Sequence, residues 1–159
     1  QTVAVMLIVV GIVFILVERA NRRKVPRVDS IDDISYGAAF LIGIFQMIAA
    51  IFPGTSRSGS TIVGSLMIGI SRTAAAEFTF FLAIPAMLGG SAVKMVKFGG
   101  AFTGNEMMIL IVGMVVAFVV SILAIKFLMS YIKKHDFRVF GWYRIVLGAA
   151  VLAYFLAVR

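Results

Sequence analysis

A chain of 159 residues that is 62% hydrophobic and only 14% charged, with a mean hydropathy of +1.07, is too apolar for a soluble domain, whose apolar and charged shares lie near a half and a quarter. It reads as an integral membrane protein. The formal net charge of +8 would suit nucleic acid, but the basic residues stand in short loops beside apolar runs, where the positive-inside rule places them. Nucleic acid is therefore set aside as a partner. The absence of cysteine excludes disulfides and thiolate metal sites, and the single His135 lies in a basic loop, so no metal ligand is assigned. The chain opens on Gln1 with no basic leader and no small-residue cleavage site, and is read as the C-terminal part of a longer protein.

In chain order, Thr2 to Val17 predicts a helix a little short of the ~20 residues that cross the bilayer. Glu18 to Ser30 follows as a solvated, cytoplasmic loop, with Arg19, Arg22, Arg23, Lys24 and Arg27 against Glu18 and Asp29, and with Pro26 as a breaker. Asp32 or Asp33 is expected to cap a helix from about Ile34 to Phe52, where Pro53 and Gly54 end it. A second helix is expected from near Ser58 to about Ile70, with Ser71, Arg72 and Thr73 closing the apolar run. At 1.5 Å per residue these two rise only ~28 and ~20 Å, so a re-entrant helix-loop-helix over about 34–70 fits better than two crossings. Both its ends would face the cytoplasm, and its tip at 53–58 would line a cavity near mid-membrane, because irregular backbone is tolerated at that depth only inside protein or beside water.

Ala74 to Val96 then crosses outward, Phe98 to Asn105 forms a Gly-rich outer loop, Glu106 to Ile132 returns, and Val139 to Val158 crosses again after Lys133, Lys134 and Arg138. Lys94, Lys97 and Arg159 fall on the outer side. Trp142, Tyr143 and Tyr131 are read as interfacial anchors, and the phenylalanines, Phe78, Phe80 and Phe81 among them, as packing or lipid-facing residues. The fold class is thus all-α integral membrane: a multi-span helical bundle, one membrane domain over 1–159, carrying one re-entrant hairpin.

The chemistry points to Pro53-Gly54-Thr55-Ser56-Arg57-Ser58-Gly59-Ser60-Thr61. An arginine at the centre of a membrane helix costs about 2.5–3.5 kcal/mol on insertion scales, so one kept there beside hydroxyls and glycines suggests a bound anion, phosphate above all. The first N–H groups of a helix starting near Ser58 lack intrahelical partners and carry the positive end of the dipole. Where the segment is helical, Ser56 shares a face with Ser60, and Arg57 shares one with Thr61. Gly54 and Gly59 let backbone approach a ligand. Arg57 would then clamp phosphate in bidentate fashion, with the hydroxyls of Ser56 and Thr61 completing its coordination. A packing reading stands beside this one: small residues let membrane helices close up, and Arg57 would pair with Glu77. Glu77 is expected to pair with Arg57, Arg72 or Arg144, or else to serve the reaction directly or through a metal. Gln46 could reach a ligand, a metal-bound water or a backbone carbonyl, and Arg144 is expected to snorkel to the inner surface in preference to contacting a ligand.

These residues resemble a family. Phe45-Gln46, the Pro53 to Thr61 string, Gly69-Ile70-Ser71-Arg72, Ala76-Glu77-Phe78 and Tyr143-Arg144 are similar to the second half of the undecaprenyl-diphosphatase family linked to bacitracin resistance. The resemblance implies a bacterial inner-membrane enzyme that removes one phosphate from undecaprenyl diphosphate, recycling the lipid carrier for peptidoglycan. It implies two inverted repeats, each giving one re-entrant hairpin to a site open to the periplasm, and leaves room for a homodimer. By that matching Ser56, Arg57 and Thr61 carry over as catalytic phosphate-contacting residues, with Gly54, Ser58, Gly59, Ser60, Gln46 and Glu77 around the substrate. A divalent cation, Mg²⁺ or Ca²⁺, would be held by carboxylates of the other repeat. That repeat's Glu-x-x-x-Glu and Pro-x-Ser-Ser-x-Gly-His segments do not occur here. Gln46 stands where an acidic pattern would begin, but Ala50 replaces its second acid, so part of the active site lies outside this chain. The rivals are a transporter or flippase of a phosphorylated polyprenol, for which broken helices and a mid-membrane anion site serve equally well, and a structural subunit whose hairpin only packs.

Overall fold

The computed structural model describes residues 2–22, 24–100 and 103–157. Among them the chain is helical throughout, with α1 (Thr2–Asn21), a 3₁₀ turn (Ile31–Asp33), α2 (Tyr36–Ile51), α3 (Arg57–Met67), α4 (Arg72–Phe98), α5 (Gly104–Ile132) and α6 (Arg138–Ala157). Four of these, α1, α4, α5 and α6, are long and apolar enough to cross a membrane. The chain is a multi-pass, all-α membrane protein. The expected positions of Arg23 and Arg159, and parts of the outer loop and of the last span's end, fall outside the described residues.

α2 and α3 form the expected hairpin. The backbone at its two ends is joined: Arg27 N–H donates to the Gly69 carbonyl (2.8 Å) and Ser71 N–H to the Val28 carbonyl (2.8 Å), closing a single bridge between Val28 and Ile70. The segment therefore enters and leaves at one end of the bundle. Its halves close because Gly64 has no side chain, since a Cβ there would lie 2.4 Å from the Phe45 ring. Gly69, at φ +91°, stops α3 with a Schellman pair in which Ile70 N–H donates to Ser65 (3.0 Å) and Gly69 N–H to Leu66 (3.2 Å).

Two expectations at the hairpin base are corrected. Asp32 and Asp33 do not cap α2; they lie in the 3₁₀ turn, and Ser35 is the cap, its hydroxyl accepting from Ala38 N–H (3.3 Å). The extended residue Ile34 separates turn from helix, so the cap falls on the next side chain able to accept. Glu18 is not in a solvated loop. α1 continues to Asn21, which keeps Glu18 on the helix and 1% exposed, where Arg72 reaches it through both Nε and Nη2.

α1 and α6 pack antiparallel through glycines. A Cβ on Gly11 would meet the Gly141 carbonyl at 2.7 Å, and one on Gly148 the Ala4 carbonyl at 2.8 Å, the close approach that membrane interfaces obtain from small residues. The core lies between α1, α3 and the α5–α6 turn, around Val10, Phe14, Val63, Leu66, Ile132 and Phe137. A smaller cluster of Ile42, Ile70, Ala74 and Ala75 fills the hairpin base, with Phe78 packed against it. The cationic ends of α1, α4 and α5 gather with the hairpin base around Arg22, Arg27, Arg72 and Lys133. This is the sided charge that the sequence predicts.

Candidate functional site: the tip of the broken hairpin

α2 stops at Pro53, which has no N–H to offer, and its last turn is closed by Thr55, whose backbone N–H (3.3 Å) and hydroxyl (2.6 Å) both donate to the Phe52 carbonyl. Gly54 follows at φ +95°, packed so tightly on α1 that a Cβ would lie 2.9 Å from Val3 backbone. Ser56 then caps α3 with φ +61°, a conformation that costs a non-glycine residue of order 1–3 kcal/mol and clusters at functional sites. Its hydroxyl accepts from Gly59 N–H (3.3 Å) and lies 3.3 Å from that of Ser58. Among the described residues the N–H groups of Arg57 and Ser58 have no acceptor, so α3 begins with open donors at its positive end.

Arg57 is exposed, has no ion pair among the described residues, and lines a cavity of about 340 Å³ together with Gln46, Ser58, Thr61 and Thr79. The cavity reaches Ala83 and Met87 of α4. These stand 11 and 15 residues past Arg72, or ~17 and ~23 Å up a helix of 27 residues that rises ~40 Å. The tip is thus near the middle of the longest spans. A second cavity of about 250 Å³ adjoins the first at Ser58, Thr79 and Phe80; it carries Ser56 and Gly59, and its walls are aromatic, including Phe14 and Phe140. Phe80 therefore borders both cavities rather than facing lipid alone.

The expected face of Arg57 and Thr61 is found, but Thr61 is 1% exposed and its hydroxyl is engaged, 3.2 Å from the Arg57 carbonyl, 3.0 Å from that of Ser58 and 2.9 Å from the Thr79 hydroxyl. It fastens the first turn of α3 to α4. Ser60 is buried away from both cavities. Gln46 shares the Arg57 cavity and has no hydrogen bond among the described residues. The pairings expected for Glu77 do not occur: it is half-buried and lines neither cavity, Arg72 is taken by Glu18, and Arg144 turns elsewhere. Arg144 does not snorkel to the basic end. Its Nη2 donates to the Gly54 carbonyl (3.0 Å), and its buried Nε has no partner. Sequence separation hid this second tip arginine, because 90 residues divide it from the carbonyl it holds.

No group of three or more His, Asp or Glu comes together among the described residues. These residues do not by themselves fit a divalent ion.

The sequence pattern of the family described as Bacitracin resistance protein BacA matches residues 1–150. Undecaprenyl-diphosphatase of Desulfitobacterium hafniense is 68% identical over 157 residues, 99% of this chain and 56% of that protein. Undecaprenyl-diphosphatase 1 of Clostridium acetobutylicum is 65% identical over 158 residues, 99% of this chain and 58% of that one. An undecaprenyl-diphosphatase of Enterococcus faecalis is 60% identical over 150 residues, covering 94% and 54%. The chain spans little more than half the length of these relatives.

Proposed function

We propose, from the premise that this chain belongs to the bacitracin resistance protein BacA family, that the whole protein hydrolyses undecaprenyl diphosphate to undecaprenyl phosphate and inorganic phosphate, and that this chain supplies the charge-stabilising part of the site. The observation that carries the reading is the tip of the hairpin: Arg57, with no ion pair among the described residues, and the open N-terminus of α3 beside a cavity midway along the spans. In phosphoryl transfer the protein chiefly positions groups and neutralises the equatorial oxygens. Arg57 holds those oxygens in its planar fork, the N–H groups of Arg57 and Ser58 complete the cradle, and the Ser56 and Ser58 hydroxyls donate to it. Gln46 reaches the same phosphate from α2. Water, or a histidine of the rest of the protein, attacks the terminal phosphorus, the bridging P–O bond breaks toward the lipid monophosphate, and water supplies the oxygen of the released inorganic phosphate, directly or by hydrolysing the phosphohistidine.

Thr61 acts as a positioning residue through the carbonyls of Arg57 and Ser58. Gly54 and Gly59 keep the turn compact, Ser60 packs the first turn of α3, and Glu77 adds negative charge on α4 outside the cradle. A divalent cation, Mg²⁺ or Ca²⁺, belongs to this proposal as a group held by carboxylates of the rest of the protein. So do the N-terminal repeat as structural partner, a homodimer, the bacterial inner membrane and a site open to the periplasm. The test is phosphate release from undecaprenyl diphosphate by the purified full-length protein. Release that persists at the wild-type rate in Arg57→Ala, or no release at all from the wild type, as a pure carrier would show, contradicts the reading.

A further inference from the structure

A cavity of about 600 Å³ at the other end of the bundle is ringed by Arg22, Lys24, Arg27, Arg72 and Lys133, with Asp29 as the one carboxylate among its described lining residues. We propose that this recess is a second anion site, distinct from the hairpin tip, that binds a phosphomonoester group. The positive-inside rule explains the sign of loops at this end but asks only that the cations be there, not that they converge. Here they converge because the chain is tied down. Asn21 donates from Nδ2 to the Leu66 carbonyl (2.9 Å), Arg27 N–H donates to Gly69 (2.8 Å) and Ser71 N–H to Val28 (2.8 Å). These bonds hold Asn21, Arg27 and Val28 against the hairpin base.

The Arg27 stem lies over Gly69, 3.4 Å from where a Cβ would be, and Arg72 is fixed by buried Glu18. Arg22, Lys24, Arg27 and Lys133 have no ion pair among the described residues. Like charges held within about a Debye length repel, and an oxyanion seated among them relieves that repulsion while accepting charge-assisted hydrogen bonds from arginine forks. The recess sits where the spans end, at headgroup level. The phosphomonoester can thus belong to a lipid headgroup or come from solution as inorganic phosphate.

The test uses the full-length protein in neutral detergent. Native mass spectrometry reads retention of phosphatidic acid against phosphatidylcholine, and a melting curve reads stabilisation by inorganic phosphate. The expected result is preferential retention of phosphatidic acid, reduced about tenfold in Arg27→Gln/Lys133→Gln, and unaffected in Lys94→Gln/Lys97→Gln at the opposite end of α4. Retention of the lipid without an effect of phosphate identifies a headgroup site; a rise in Tm with phosphate and no lipid preference identifies a free-anion site. Should the double variant fail to fold, Lys24→Gln alone, on the exposed loop, is expected to lower binding several-fold. Binding of neither ligand, binding unchanged by the basic-end variants, or an equal loss in the Lys94/Lys97 control overturns the proposal. An Arg57→Ala protein keeps this binding, which separates its outcome from that of the tip.

Discussion

Arg72 and Arg138, at the basic end, each hold a carboxylate: Arg72 grips Glu18, and Arg138 donates from Nε to Asp136 at 2.6 Å. Arg57 and Arg144, at the hairpin tip, hold none among the described residues; one lines an open cavity and the other leans on a single backbone carbonyl with its Nε unpartnered there. Two arginines at the basic end are thus neutralised by carboxylates that help build the fold, whereas Arg22 and Arg27 there and both tip arginines have no ion pair among the described residues. What sets the tip apart is its depth: an unpaired cation midway along the spans is costlier than one where the spans end, which is the ground for the proposal that an anion binds there.

The contrast is broken most severely at the tip. In the full-length protein Arg57→Ala should lower kcat for phosphate release by roughly 10²–10³, as removal of a preorganised charge-stabilising donor does elsewhere, and Arg57→Lys should recover only part of it, because an ammonium lacks the planar fork. Both variants should melt like the wild type, since Arg57 has no ion pair to lose among the described residues.

At the basic end the same kind of change should act on stability instead. Arg72→Met strands a carboxylate that is 1% exposed and should cost about 3–5 kcal/mol. Glu18→Gln leaves Arg72, with its side chain 37% exposed, free to reach water, and should cost only about 1–2 kcal/mol. Thermal melting in detergent reads both; equal losses would mean that the pair is not buried on one side only.

Thr79→Val sharpens the comparison between the regions, because Thr79 holds the tip without belonging to the cradle. Loss of its bond to Thr61 should cost about 1–2 kcal/mol and lower kcat several-fold while leaving KM nearly unchanged; a pure KM effect would place Thr79 against the substrate.

The smallest effect is that of pH on the Asp136–Arg138 pair. Hydrogen bonding to Arg138 holds the Asp136 carboxyl below its ordinary value of 3.8. A carboxylate whose folded-state pKa is depressed contributes stability above the unfolded value and loses it as pH falls through the folded one. The pair's small contribution should therefore be intact at neutral pH and fade only below about pH 4, a loss absent from Asp136→Asn.

Part of this was legible in the chain. The hairpin could be read from Pro53-Gly54 between two apolar runs too short to span, and the start of α3 from the hydroxyls around Arg57, because turn and cap chemistry is local. What escaped was set by partners far along the sequence. Glu18 looked solvated beside its basic neighbours, but its partner is 54 residues away on α4; Arg144 looked like a snorkelling residue until α6 folded back along α1 and brought it to Gly54. Thr61 was placed on the right face, yet only tertiary packing shows its hydroxyl spent on Thr79. The cap of α2 fell on Ser35 because the two aspartates were used by a 3₁₀ turn whose existence no periodicity announces.

The most direct measurement is calorimetric binding of a non-hydrolysable methylene analogue of a prenyl diphosphate to the full-length protein and to its Arg57→Ala variant. If the unneutralised tip is the phosphate cradle, the variant should bind about tenfold to a hundredfold more weakly, the loss expected for one or two charge-assisted hydrogen bonds. Equal affinities in two equally well-folded proteins would contradict it.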